Sequence, residues 1–438
     1  MENQVPLRIA NILINALKGG VVPRIGLEYI TVGRTQEIAA ILHDIEMIAD
    51  GSASFRFIVG KYGSGKSFLL QTIRNYATAK GFAVVDADLS PERRFAGTKG
   101  QGLATYKELI QNLSTKSKPD GGALPLILEK WISGIQSSVK AESDAGGDDF
   151  DRLVEKQIYT VTESLEGMVN GFEFAKAIVT YWHAYRQNDT NLKSNVLKWF
   201  RGEYASRKEA KADLDINFII TDETWYDFLK IFAAFLVSAG YKGMLVVIDE
   251  LVNIFKIPNS ITRQNNYEKI LTMYNDVLQG KAKHIGFLMG GTPQCIEDKY
   301  KGVFSYEALR SRLAEGHFAT DSLKDLSAPI IRLQMLTQEE MYVLVEKLRD
   351  IHAQLYQYEP QIGHDELVYF LTAEYNRVGA ETHITPREII RDFIELVNIL
   401  YQNPQISMDE LLGSNSFQMA KGGITEEEIH ADFQEFEI

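Results

Sequence analysis

The chain has 438 residues, enough for two or three domains, is 45% hydrophobic and carries a formal net charge of −13. That balance argues against a protein that coats nucleic acid by bulk electrostatics, and no apolar run is long enough to span a bilayer. The single cysteine, Cys295, excludes an intrachain disulfide and a cysteine-rich metal site. With an N-terminus unlike a secretory signal, it points to a reducing, cytoplasmic home and no membrane association. The histidines show no ligand spacing, so no metal held by histidine or cysteine is expected.

In chain order, Leu7 to Leu17 has the spacing of an amphipathic helix, stopped by Gly19-Gly20. Phe55 to Val59 reads as a short buried strand. Gly60-Lys61-Tyr62-Gly63-Ser64-Gly65-Lys66-Ser67 then fits the phosphate-loop pattern G-x-x-x-x-G-K-[ST] at every fixed position, and Phe68 to Ile73 has helical spacing. Strand, glycine-rich turn and helix together let backbone N–H groups face an anion at a helix N-terminus. In that arrangement Lys66 reaches the β- and γ-phosphates of ATP and the Ser67 hydroxyl holds Mg²⁺. Phe82 to Asp86 is a second strand.

From Ser114 to Gly240 the pattern is mainly helical, with three- and four-residue apolar spacing in Ala123 to Ile135 and Phe172 to Tyr185. The polar stretches Ser114 to Gly122 and Glu142 to Asp151 break it, the second as an expected mobile loop. Trp131, Trp182, Trp199 and Trp225 fall in this region and read as helix-core residues rather than base-stacking ones. Met244 to Ile248 is a continuous apolar run, as in a central parallel strand, and ends in Asp249-Glu250. Asp249 can hold Mg²⁺ and Glu250 can polarise an attacking water. Ile285 to Gly290 is the next strand, with Thr292 beyond it as a γ-phosphate sensor or as ordinary turn chemistry. Ile330 to Leu333 is a fifth strand, and Thr337 to Gln402 suits a helical lid.

The motifs resemble those of AAA+ ATPases, closest to the origin-recognition and DnaA-like branch. That resemblance implies an α/β fold: a P-loop AAA+ parallel sheet of the additional-strand, catalytic-Glu type, flanked by helices, with a large helical insertion and a C-terminal helical lid. It also implies that Arg312, or else Arg310, in Ala308 to Leu313 reaches a neighbouring subunit's nucleotide as an arginine finger. Arg387, in Ile384-Thr385-Pro386-Arg387, resembles a second sensor, although Thr385 stands where the family's glycine is usual. Thr31-Val32-Gly33-Arg34 with Glu37 resembles the segment that lies near adenine, which places Gly33 and Arg34 at the nucleotide.

More narrowly, Ile30 to Arg34, Phe55 to Ser67, Trp199-Phe200-Arg201-Gly202-Glu203 and Ala239 to Gly243 are similar to the ATP-binding proteins of bacteriophage-exclusion (BREX) systems, the BrxC/BrxD type and most the shorter BrxD. The resemblance implies an ATPase of anti-phage defence that forms a homo-oligomer and acts on DNA or on a partner such as a helicase. An ATP-gated switch or scaffold recruiting a nuclease, helicase or methylase is the alternative. The expected organisation is an N-terminal helix and leading segment (1–30), the first part of the ATPase core (31–113), the insertion (114–240), the second part of the core (241–335), the lid (336–404) and an acidic tail (405–438).

Overall fold

The structure is a computed structural model that describes residues 4–143, 146–314, 324–376 and 384–413. Helices α1 (Leu7–Lys18), α2 (Leu27–Ile30) and α3 (Thr35–Ala49) lead to strand β1 (Ala53–Gly60). The glycine-rich turn opens into α4 (Lys66–Ala79), and the chain returns as β2 (Ala83–Asp88). A run of helices follows: α5 (Gln101–Gln111), α6 (Leu124–Glu142), α7 (Gly147–Glu166), α8 (Gly171–Arg186), α9 (Thr190–Phe200), α10 (Arg207–Leu214) and α11 (Trp225–Ser238). Then come β3 (Met244–Asp249), α12 (Val252–Phe255), α13 (Ser260–Leu278), β4 (Ile285–Gly291), α14 (Pro293–Glu297), α15 (Glu307–Leu313) and β5 (Ile330–Leu333). Helices α16 (Gln338–Tyr356), α17 (His364–Tyr375), α18 (Pro386–Gln402) and α19 (Met408–Gly413) close the described chain.

The described strands form one five-stranded parallel sheet in the order β2-β3-β4-β1-β5. Strands β3 and β4 therefore stand between β1 and β2, and the fold is of the expected α/β class, a parallel sheet flanked by helices. Every residue of β4 and all but the last of β3 are buried. Both strands carry apolar side chains on both faces, as parallel strands covered by helices on each side must.

Contacts divide the chain into two compact units. One comprises residues 36–59 and 73–331. Its core joins the sheet to the helices between β2 and β3, through the buried rings of Phe174, Phe200, Phe228 and Phe232. All four tryptophans are buried there, Trp131 being the most exposed at 7%, so they act as core residues. The other unit comprises residues up to Thr35, 60–72 and from Arg332 onward. In its core Leu13 and Ile14 of α1 pack with Leu344 and Leu348 of α16 and with Ile389, Phe393 and Val397 of α18.

The acidic stretch expected as a loop from Glu142 to Asp151 is mostly helix. α6 runs to Glu142 and α7 starts at Gly147, leaving a short connection of which 144–145 lie outside the described residues. Asp148 and Asp149 occupy the first turn of α7, where the helix dipole favours carboxylates. Asp151 pairs with Arg186 of α8 at 2.6 Å. The same acidic composition that reads as a solvated break thus serves as a helix start. Of the acidic C-terminal stretch, 414–438 lie outside the described residues.

Candidate nucleotide site

The phosphate-type loop belongs to the smaller unit. Gly63 (φ 79°) and Gly65 (φ 85°) adopt left-handed backbone, which turns successive N–H groups toward one concavity. A Cβ added at Gly65 would meet nothing within 4 Å. The loop runs into α4 at Lys66, so the first amides of that helix lack intrahelical acceptors. The Lys66 ammonium donates to the carbonyls of Gly60 (2.9 Å) and Lys61 (3.0 Å) and lies across the loop. Ser64 is buried, yet its hydroxyl has no hydrogen-bond partner among the described residues. An open glycine cradle, a cation folded over it and an orphaned buried hydroxyl fit a phosphate chain.

Two further expected residues are brought to this loop. Arg34, with a left-handed φ of 60°, donates through Nη2 to the Ser64 carbonyl at 3.1 Å and to the Gln334 carbonyl. It braces the loop from behind through backbone contacts. Gly33 lies against the Glu340 carboxylate. Arg387 sits in the first turn of α18, where its Nη1 donates to the Tyr62 hydroxyl at 3.0 Å. Thr385, the residue that departs from the usual glycine, is the N-cap of α18 in a reciprocal capping box with Glu388.

The acidic pair belongs to the larger unit. Asp249 ends β3 and accepts from the Glu250 N–H at 2.8 Å. Glu250 is exposed and sits at φ 62°, a conformation that costs an L-residue energy and that collects at functional sites. β4 lies between β3 and β1, and the register sets Ile248 beside Met289 and Val59 beside Gly291. The carboxyl ends of the three strands therefore share one edge of the sheet. Thr292 stands at that edge just past β4, where its hydroxyl caps α14 by accepting from the Cys295 N–H at 3.4 Å. Arg310 and Arg312 lie exposed on α15: Arg310 is 3.9 Å from Glu307, and Arg312 donates to the Ala308 carbonyl at 2.7 Å.

The sequence model of the BREX system ATP-binding protein BrxC/D family matches residues 5–416. The chain belongs to this family. No curated protein matches it. Among solved structures, domain III of the Thermotoga maritima replication initiation protein DnaA is similar at 11% identity, over 88% of this chain and 92% of that one, with a TM-score of 0.36. That score is too low to bear on the fold.

In this BrxC/D-family chain the segment Trp199 to Glu203 is a packing clasp. Trp199 Nε1 donates to the Phe218 carbonyl at 2.8 Å, and the Phe200 carbonyl accepts from the Tyr106 hydroxyl at 2.8 Å. One residue at the acidic edge was not singled out in the sequence. Asp88 ends β2 and pairs in register with Asp249. Asp88 is exposed on its outer side, yet its carboxyl is held above its ordinary value, first by partial desolvation at the strand end and then by the neighbouring Asp249 and Asp86 carboxylates. Reading β2 as ending at Asp86 hid it. The alternation in Asp86-Ala87-Asp88 was the available signal. Among the described residues no cluster of His, Cys, Asp and Glu could hold a metal ion on protein ligands alone, and no helix is long and apolar enough to cross a membrane.

Proposed function

We propose that this chain is an ATP-hydrolysing AAA+ protein of anti-phage defence, of the shorter BrxD-like type, that self-assembles in the cytoplasm and acts on DNA or on a DNA-processing partner such as a helicase. The observation that carries the reading is the carboxylate pair Asp249-Glu250 at the carboxyl edge of β3, in a sheet whose β1 leads directly into an intact phosphate loop. In this reading Lys66 and the loop amides hold the phosphates, and Ser67 and Asp249 each offer an oxygen to Mg²⁺. Glu250 takes the proton of the attacking water. Thr292 orients the γ-phosphate from the tip of β4. The exposure of Arg310 and Arg312 supports a role for one of them toward a neighbouring subunit.

The test is phosphate release and light-scattering mass for the unaltered protein, Lys66→Ala and Glu250→Gln, with ATP and Mg²⁺, with and without duplex DNA. Glu250→Gln is expected to lower turnover about a hundredfold or more while retaining ATP and forming a multimer that holds DNA. Full turnover in Glu250→Gln would remove the catalytic assignment. A monomer indifferent to DNA would replace the motor reading with an ATP-gated scaffold.

A further inference from the structure

The loop pattern leaves its third position free, so nothing about holding phosphate requires a tyrosine there. Tyr62 occupies it and is 66% exposed. Its hydroxyl accepts from Arg387 Nη1 at 3.0 Å, and the guanidinium carbon lies 5.6 Å from the ring centroid. One side chain thus offers Arg387 both a hydrogen bond and an aromatic face. The next residue locks the same pairing of elements. A Cβ on Gly63 would come within 2.7 Å of Thr385 Cγ2, so only glycine lets the N-cap of α18 seat on the loop. Thr385 and Glu388 are each 8% exposed and bonded to one another. The first turn of α18 is therefore fixed beside the loop, and the exposed Arg387 guanidinium can exchange its acceptor without any movement of the helix.

We propose that Tyr62 sets the discrimination between nucleoside triphosphate and diphosphate: it holds Arg387 until a γ-phosphate competes for the same guanidinium. The inference rests on the nucleotide reading of this loop. A phenol oxygen is a neutral acceptor, whereas a γ-phosphate carries full negative charge and can take the guanidinium fork in two parallel bonds. A triphosphate supplies that oxygen and a diphosphate does not. Tyr62 is thus a positioning residue: it taxes triphosphate binding and leaves diphosphate binding unchanged.

Calorimetric titration of the full chain with Mg²⁺ and either ADP or a non-hydrolysable ATP analogue tests this. Tyr62→Phe removes the hydroxyl and keeps the ring, and Tyr62→Ala removes both. Each is expected to tighten the triphosphate analogue about three- to tenfold relative to ADP, and Tyr62→Ala at least as much as Tyr62→Phe. In an Arg387→Ala background the tyrosine substitutions are expected to change nothing. An unchanged ratio in both tyrosine variants, with nucleotide still bound, overturns the latch alone. Equal weakening of both nucleotides makes Tyr62 an ordinary ligand and also overturns it. Binding of neither nucleotide by the unaltered protein overturns the nucleotide reading together with the latch.

Discussion

At the scale of single residues, the carboxyl edge of the sheet carries a strained backbone at Glu250, which the proposed function puts to use in hydrolysis. Glu250 holds a left-handed backbone that glycine adopts without strain. Glu250→Gly is therefore expected to stabilise the protein by about 1 kcal/mol while removing turnover, checked by denaturant melts beside phosphate release. Asp88 offers a second test. Its folded carboxyl titrates above the unfolded one because partial desolvation and Asp249 oppose ionisation, an effect that solvent at this exposed strand end keeps small. The folded state accordingly loses stability as pH rises from the unfolded value to the raised folded value, and the loss is complete above the latter. Asp88→Asn is expected to raise the melting temperature at neutral pH and to leave it unchanged well below the ordinary carboxylate range. An equal shift at both pH values would assign the gain to something other than ionisation.

At the scale of elements, the five strands were readable as short, largely apolar runs bounded by turn residues, and in β3 and β4 burial on both faces leaves no alternation to confuse. Helix α1 was readable because Gly19-Gly20 ends a clear amphipathic stretch. The start of α7 was not, since Gly147-Asp148-Asp149 carries the composition of both a loop and a helix first turn. The contact of Asp151 with Arg186 on the next helix favours the helix. The clasp at the end of α9 gives a direct test of the reading of the tryptophans. Trp199 is 1% exposed, bonded to Phe218 and packed edge-on against Phe200 and Phe228. Trp199→Ala is expected to cost about 3–5 kcal/mol, read from chemical denaturation. Loss of DNA binding with full stability would instead make this tryptophan a contact residue.

At the scale of the whole molecule, the apolar residues form two separate cores that follow the two units. Calorimetry is expected to resolve more than one unfolding transition, because two cores need not melt together. ADP at a hundred times its dissociation constant should stabilise the transition of the unit that carries the loop by about 2.7 kcal/mol, and Lys66→Ala should abolish that shift. A single transition with equal calorimetric and van't Hoff enthalpies would count against independent cores.

The sequence alone determined the loop, the strand before it, the helix after it and the acidic strand end, because each is a local pattern with a local physical cause. Backbone conformation at glycines, period and a strand's terminal residue are set within a few positions. Only the tertiary structure decided that Arg387 meets Tyr62 across 325 positions of sequence, that Arg34 braces Ser64, that Asp88 pairs with Asp249, and that three distant stretches share one core. Those pairings follow from strand order and from which helix faces remain to be buried. No short window of sequence carries that information.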